Sequence, residues 1–205
     1  TLYIPFKKLM FLFDAEDVHN SLTSTGKFLG TNPFTKWITR IIFKYDSLKT
    51  GKKIDGIYSP NPIGLAAGFD YNGNLTQILP DVGFGYQMVG TVTYQPYEGN
   101  KKPRLGRFPN SKALLVNKGL KSLGAKQIAH DLTGLNFEYP VGISIAATNT
   151  HFDSTKDQLL DIARSFQVFE NSKVKHSFYE MNISCPNTFG GEPFTNPRRL
   201  KFLLD

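Results

Sequence analysis

Four short apolar runs, each closing on small residues, limit the architectures open to this chain. They are Ile63-Gly64-Leu65-Ala66-Ala67-Gly68, Tyr86-Gln87-Met88-Val89-Gly90-Thr91, Val141-Gly142-Ile143-Ser144-Ile145-Ala146 and the stretch from Tyr179 to Ser184. Each reads as a buried strand. Helical patterns separate some of them. Leu75 to Leu79 is a short one, and Lys156 to Phe169 is a long one with Leu159, Leu160, Ile162, Ala163 and Phe166 as its apolar set. Buried strands alternating with helices predict parallel β/α units. In a β/α barrel all strand C-termini open on one mouth, where sites are built. Small residues there give the backbone room to approach a planar ligand. Tight strand–helix packing selects the same residues, so these tracts alone leave both readings open.

The first 50 residues follow another pattern. Phe6, Leu9, Met10 and Phe13 share one helical face, and Asp14 is placed to cap a second helix with Asp17 in its first turn. Val18, Leu22 and Leu29 continue an apolar face. Pro33 opens a third helix, in which Phe34, Trp37, Ile38, Ile41 and Ile42 cluster while Lys36, Arg40 and Lys44 point elsewhere. Seven Lys/Arg against four Asp/Glu make the segment +3. Such helices can lie in a membrane interface or simply cap a neighbouring core, and the pattern alone favours the cap. No apolar run approaches the ~20 residues of a membrane span. The start, Thr1 to Lys8, lacks a signal-peptide cleavage pattern. The whole chain, 205 residues at net +7, scatters its lysines and carries no nucleic-acid motif. An anionic surface or a phosphate-bearing ligand suits that charge better.

The only cysteine excludes an internal disulfide and fits a reducing compartment. It lies in Asn182-Ile183-Ser184-Cys185-Pro186-Asn187-Thr188, just past the fourth strand. A thiol has a pKa of ~8.5 when free, within reach of proton-transfer work near neutrality. Asn182 and Asn187 beside it offer uncharged donors and acceptors, which suits chemistry on a flat, amide-rich ring. The alternative is an inert, buried thiol, the commoner fate of a lone cysteine. Between the second and third strands lies an excursion, residues 94–125, rich in Pro, Gly and Lys, with an extended Ala113-Leu114-Leu115-Val116 inside it. An insertion of that length in one β/α connection points to function.

Four stretches together resemble the dihydroorotate dehydrogenase family. They are Gly64 to Asp70; Val89-Gly90-Thr91-Val92-Thr93 running into Gln95 to Arg104; Val116-Asn117 with Gly119; and Asn182 to Thr188. The helical start, Leu9 to His19, resembles the quinone-using, membrane-associated branch, whose N-terminal helices form a hydrophobic tunnel to the flavin. The resemblance implies the N-terminal part of a (β/α)8 TIM barrel behind a small helical segment, with residues 1–50 membrane- and quinone-associated and 51–205 flavin-binding. It implies FMN-dependent oxidation of dihydroorotate to orotate in pyrimidine biosynthesis, with electrons passed to a quinone. It also implies peripheral attachment to a bacterial or mitochondrial inner membrane, or a cytoplasmic protein if the soluble branch is the better match. Cys185 then stands at the position of the catalytic base. Asn117, Gly119, Leu120, Asn182, Asn187 and Thr188 match substrate-binding positions. Ala66, Ala67, Gly68, Gly90, Thr91, Asn117, Ser144 and Asn182 match flavin-contacting ones. No metal site is implied.

The chain departs from that family in several places. The quinone branch has Ser where Cys185 stands, and Cys is the choice of the soluble branch. The family lysine near flavin and substrate falls at Tyr71 in one branch and at Gly90 in the other, and neither is lysine here. Lys118 and Lys121 are the nearby candidates to replace it. A flavin-facing asparagine is Ser144, and one residue fewer separates Asn117 from Gly119. A closed barrel takes ~250 residues, so this chain is expected to be about half of one, truncated and inactive alone. Two other functions remain open: a non-catalytic remnant that binds membrane or partner, and a flavin oxidoreductase acting on another pyrimidine-like ring.

Overall fold

The computed structural model describes residues 3–44 and 50–205. Three helices come first: α1 (Tyr3–Met10), α2 (Ala15–Thr31) and α3 (Pro33–Phe43). The Asp14 carboxylate accepts from the Glu16 and Asp17 N–H groups at 2.8 and 3.1 Å and so caps α2. These bonds hold its pKa below the usual carboxylate value. Asn32 caps α3 through the Phe34 N–H at 2.8 Å, with Pro33 in the first turn.

Two short strands follow, β1 (Lys52–Ile54) and β2 (Ile57–Ser59), antiparallel about Asp55-Gly56, whose φ values are 48° and 83°. This is the two-residue hairpin that Asp-Gly favours, and it is not among the elements expected above. The division drawn at residue 50 adjoins residues 45–49, which lie outside the described residues, as do Thr1 and Leu2.

The remainder runs β3 (Gly64–Leu65), α4 (Leu79–Val82), β4 (Tyr86–Val92), β5 (Leu105–Phe108), β6 (Ala113–Val116), α5 (Ala125–Leu132), β7 (Val141–Ile145), α6 (Thr155–Glu170), β8 (Phe178–Met181) and α7 (Pro197–Leu204). Strands β3, β4, β7 and β8 pair in that order, all parallel, as the four apolar runs predict. Parallel sheets bury both faces. Val89, Val92, Val141, Ile143 and Ile145 are fully buried, in one cluster with Ile128 and Leu132 of α5 and Ile162 and Phe169 of α6. The excursion contains a second hairpin, β5 against β6.

Two expected elements differ. Leu75 to Leu79 is a set of turns, and regular helix begins only at Leu79. The buried Asp70 carboxylate takes the N–H groups of Asn74 (2.8 Å) and Leu75 (2.7 Å), which holds the segment in turns. The fourth strand ends at Met181 rather than Ser184. There the Asn182 side-chain oxygen accepts from the Ser184 N–H at 3.2 Å and turns the chain out of the sheet.

Asp70 also accepts from Gln87 Nε2 at 2.6 Å, and the Tyr139 hydroxyl donates to Gln87 Oε1. All three side chains are buried. Replacing Tyr139 by Phe strands the Gln87 carbonyl without its donor. Tyr139→Phe is expected to destabilise the fold by ~1–3 kcal/mol, read as a lower urea midpoint at unchanged slope.

Candidate functional site

Because the four strands are parallel, their C-terminal ends share one face of the sheet, and the loops leaving them are stitched together by backbone bonds. Gly68 N–H donates to Gly90 O at 2.6 Å, Gly90 N–H to Asp70 O at 3.1 Å, and Asn182 N–H to Ile145 O at 2.8 Å. Gly90 has φ 122°, and a Cβ built on it would lie 2.6 Å from Ser144 O. That position therefore excludes a lysine in this backbone. Gly68 is the opposite case: at φ 103° its missing Cβ would meet nothing within 4 Å. The exposed Gly68 backbone, with Ala67 before it, presents an open surface that fits a flat ring.

A cleft of about 230 Å³ lies at this end of the sheet. Cys185, Asn182 and Asn187 line it from the loop after β8, Ala67 and Gly68 from the loop after β3, and Thr91 from β4. Lys118, Gly119 and Leu120 close it from the excursion. Beneath it runs a polar chain. Asn182 Nδ2 donates to Thr91 Oγ1 at 2.7 Å, Thr91 Oγ1 lies 3.0 Å from Ser144 Oγ, and Ser144 donates to Glu180 Oε1 at 2.7 Å. An ionised carboxylate only accepts. The Ser144 proton therefore points to Glu180 and the Thr91 proton to Ser144, leaving Thr91 to accept from Asn182.

Asn100 ties the excursion to the loop after β8. Its Nδ2 donates to Asn117 Oδ1 at 2.8 Å and to Asn187 O at 2.9 Å. Its Oδ1 accepts from Tyr97 OH at 2.8 Å and Asn149 Nδ2 at 3.3 Å. Gly119 (φ 65°) makes room for it, since a Cβ there would be 2.4 Å from Asn100 Oδ1. Asn187 is further held by its own Nδ2, which donates to Val116 O at 3.0 Å.

The helical start docks on the same face. Arg104 Nε donates to Glu16 Oε2 at 3.0 Å, a buried ion pair, and Arg107 donates to Met10 O and Phe13 O. Behind the cleft lies a mostly apolar cavity of about 370 Å³ lined by Val18, His19, Leu22, Leu105 and Leu114 among others. The two spaces share three wall residues, Gly68, Val116 and Lys118. His19 Nε2 lies 2.7 Å from Phe69 O. A carbonyl can only accept, so Nε2 carries the proton, and Nδ1 is left to accept from Lys118 Nζ at 3.3 Å. Burial first, and the Lys118 charge second, push the His19 pKa down, in keeping with that neutral ring. Burial also pushes Lys118 down to about 8.

Of the residues expected at the site, Cys185, Asn182, Asn187, Ala67, Gly68, Thr91, Gly119 and Leu120 meet at this cleft. Asn117 is not among the residues that line it; its side-chain oxygen accepts from Asn100, which also holds the Asn187 backbone. Ser144 is fully buried behind Thr91, Gly90 is buried backbone, and Ala66 is exposed and does not line the cleft. Thr188 lines a neighbouring small concavity with Cys185, its hydroxyl 2.6 Å from Gly191 O and 3.2 Å from Cys185 O. The sequence assigned no role to Asn100, Asn149, His19 or Glu180. Asn100 stands within one of the stretches that carry the family resemblance, but apart from Tyr97 its partners lie 17, 49 and 87 residues away.

A family model described as dihydroorotate dehydrogenase matches residues 49–204. The chain is 34% identical over 188 residues to the dihydroorotate dehydrogenase (quinone) of Helicobacter acinonychis, covering 91% of this chain and 52% of that protein. It is 33% identical over 191 residues to the enzyme of the same description from Corynebacterium glutamicum (strain R), covering 93% and 50%. The fold matches a crystal structure of DHODH from Eimeria tenella in complex with ferulenol, at TM-score 0.71 and 24% identity over 93% of this chain and 49% of that one. The chain thus spans about half the length of the curated relatives it matches, consistent with part of a TIM barrel.

The depressed Lys118 pKa has a stability consequence. Between about pH 8 and 10.5 the unfolded chain holds a proton on this lysine that the folded one has released. Stability then rises with pH across that window. Denaturant midpoints of the protein and of Lys118→Met, taken from pH 7 to 10.5, are expected to differ by such a rise, present only with the lysine.

Proposed function

Because the chain belongs to the dihydroorotate dehydrogenase family, we propose that the full-length protein oxidises dihydroorotate to orotate in pyrimidine biosynthesis, with FMN as cofactor and a quinone as final acceptor. The observation that carries this reading is the convergence of Cys185, Asn182, Asn187, Thr91 and Gly68 on one cleft. When bound, the flavin supplies a hydride acceptor for C6 of the substrate. The open Gly68 backbone, Ala67, Thr91 and Asn182 would hold the flavin ring. Cys185 removes the proton at C5, a role a thiol can fill near neutral pH. Asn117, Asn182 and Asn187 pair with the amide edges of the substrate ring, and Asn100 keeps Asn117 and the Asn187 backbone aimed. Holding the reacting groups in register is most of what such a site must do.

The apolar cavity under α2 supports a quinone as acceptor, since it reaches the wall of the cleft without crossing the sheet. The face of α3 supports peripheral membrane contact. Lys36 and Arg40 turn inward to Glu138 (2.6 and 3.1 Å) and to Asp81, while Phe34, Trp37, Ile41 and Ile42 are left exposed. Such an aromatic and aliphatic face suits the lipid boundary. No helix among the described residues is long and apolar enough to cross a membrane.

The full-length protein is expected to purify with flavin absorbance that anaerobic dihydroorotate bleaches. A protein that stays colourless with added FMN would sink the proposal. Cys185→Ala should lower the rate of that bleaching ~10²–10⁴-fold, and Cys185→Ser should keep weak activity. In flotation with anionic vesicles, Trp37→Ser/Ile41→Ser should leave more protein at the bottom of the gradient than wild type.

A further inference from the structure

Lys118 is 8% exposed, yet no carboxylate among the described residues lies within ion-pair distance of its ammonium. Its partners are the unprotonated Nδ1 of His19 at 3.3 Å and the face of Tyr71, 4.6 Å from Nζ to the ring centroid. The nearest acid, Glu16, is already engaged, one oxygen with Arg104 at 3.0 Å and the other 3.8 Å from Lys121 Nζ. A buried ammonium without a counter-charge is costly. This one has three donors, uses one on His19, and lines the cleft beside Asn182, Cys185 and Asn187. Lys121 lines the same cleft but is half-buried and turned to Glu16.

We propose that Lys118 is the cation that binds the anionic group, a carboxylate, of the ring-shaped ligand in this cleft. The ligand supplies the missing counter-charge, and the His19 lone pair and Tyr71 face hold the ammonium in place until it arrives. The other positions open to a cation are closed. Gly90 cannot carry a side chain in this backbone, and position 71 holds the aromatic platform itself. The inference rests on reading the cleft as the substrate site.

The test uses the full-length, FMN-loaded protein and calorimetric titration with two probes: orotate, and uracil, the same ring without the carboxylate. Lys118→Met is expected to weaken orotate ~10- to 100-fold, the loss of one charge-assisted bond, and to leave uracil within about twofold. Lys118→Arg should keep most of the orotate affinity. Lys118→Met/Tyr71→Lys should recover part of it by returning a cation to the same space. Should Lys118→Met fail to fold, Lys118→Gln carries the same two titrations. Equal loss for orotate and uracil, or no loss for either, overturns the role of Lys118 while leaving the substrate reading intact. Wild-type protein that binds neither probe overturns both.

Discussion

The Asp70 carboxylate is the fixed point from which the site is built. It is 1% exposed and accepts from two backbone N–H groups and the Gln87 amide, while its own carbonyl accepts from Gly90. Burial pushes its carboxyl up, and those donors, which favour the ionised form, pull the other way. The residues around it are thereby set one after another. Gly68 turns its open face to the cleft, Phe69 presents its carbonyl to His19, and Tyr71 lies flat beneath Lys118. Contacts that reach α2 (Phe69 to His19), the excursion (Tyr71 to Lys118) and the sheet (Gly68 to Gly90) thus share a single anchor on the loop after β3.

How legible this was depended on the range of the physics involved. The buried strands showed because a parallel sheet writes continuous apolar runs, and the cap at Asp14 and the helix start at Pro33 showed because such signals are local. The Asp55-Gly56 hairpin went unread because its strands are only three residues each and β1 is exposed throughout, so neither writes an apolar run. Helix α5 has no capping side chain at Gly124 and so lacks the usual starting signal. The turns after Asp70 look helical by composition, since nothing local reveals that a carboxylate will claim two of their N–H groups. Asn100 was out of reach for a different reason: its work is done across the fold, on Asn117, Asn149 and Asn187, which only tertiary structure brings to it.

The third helix shows how a correct periodicity can leave orientation undecided. The separation of Phe34, Trp37 and Ile41 from Lys36 and Arg40 is plain from spacing. Which side meets the protein is not. The decision came from Asp81 and Glu138, two acids far along the chain that draw the basic side inward. An apolar stripe is normally the buried one. Here charge pairing at the docking surface reverses that default and leaves hydrocarbon outside.

The partition between the cleft and the cavity under α2 is only a few side chains thick, and Gly68, Val116 and Lys118 have a surface on both sides of it. Most positions in a protein answer to one environment. These three answer to two: a polar, charge-bearing space and a hydrocarbon-lined one. A residue acceptable to either alone can be unacceptable at the boundary. The tolerated choices are the overlap of both sets, so a change on this wall is felt on two sides at once.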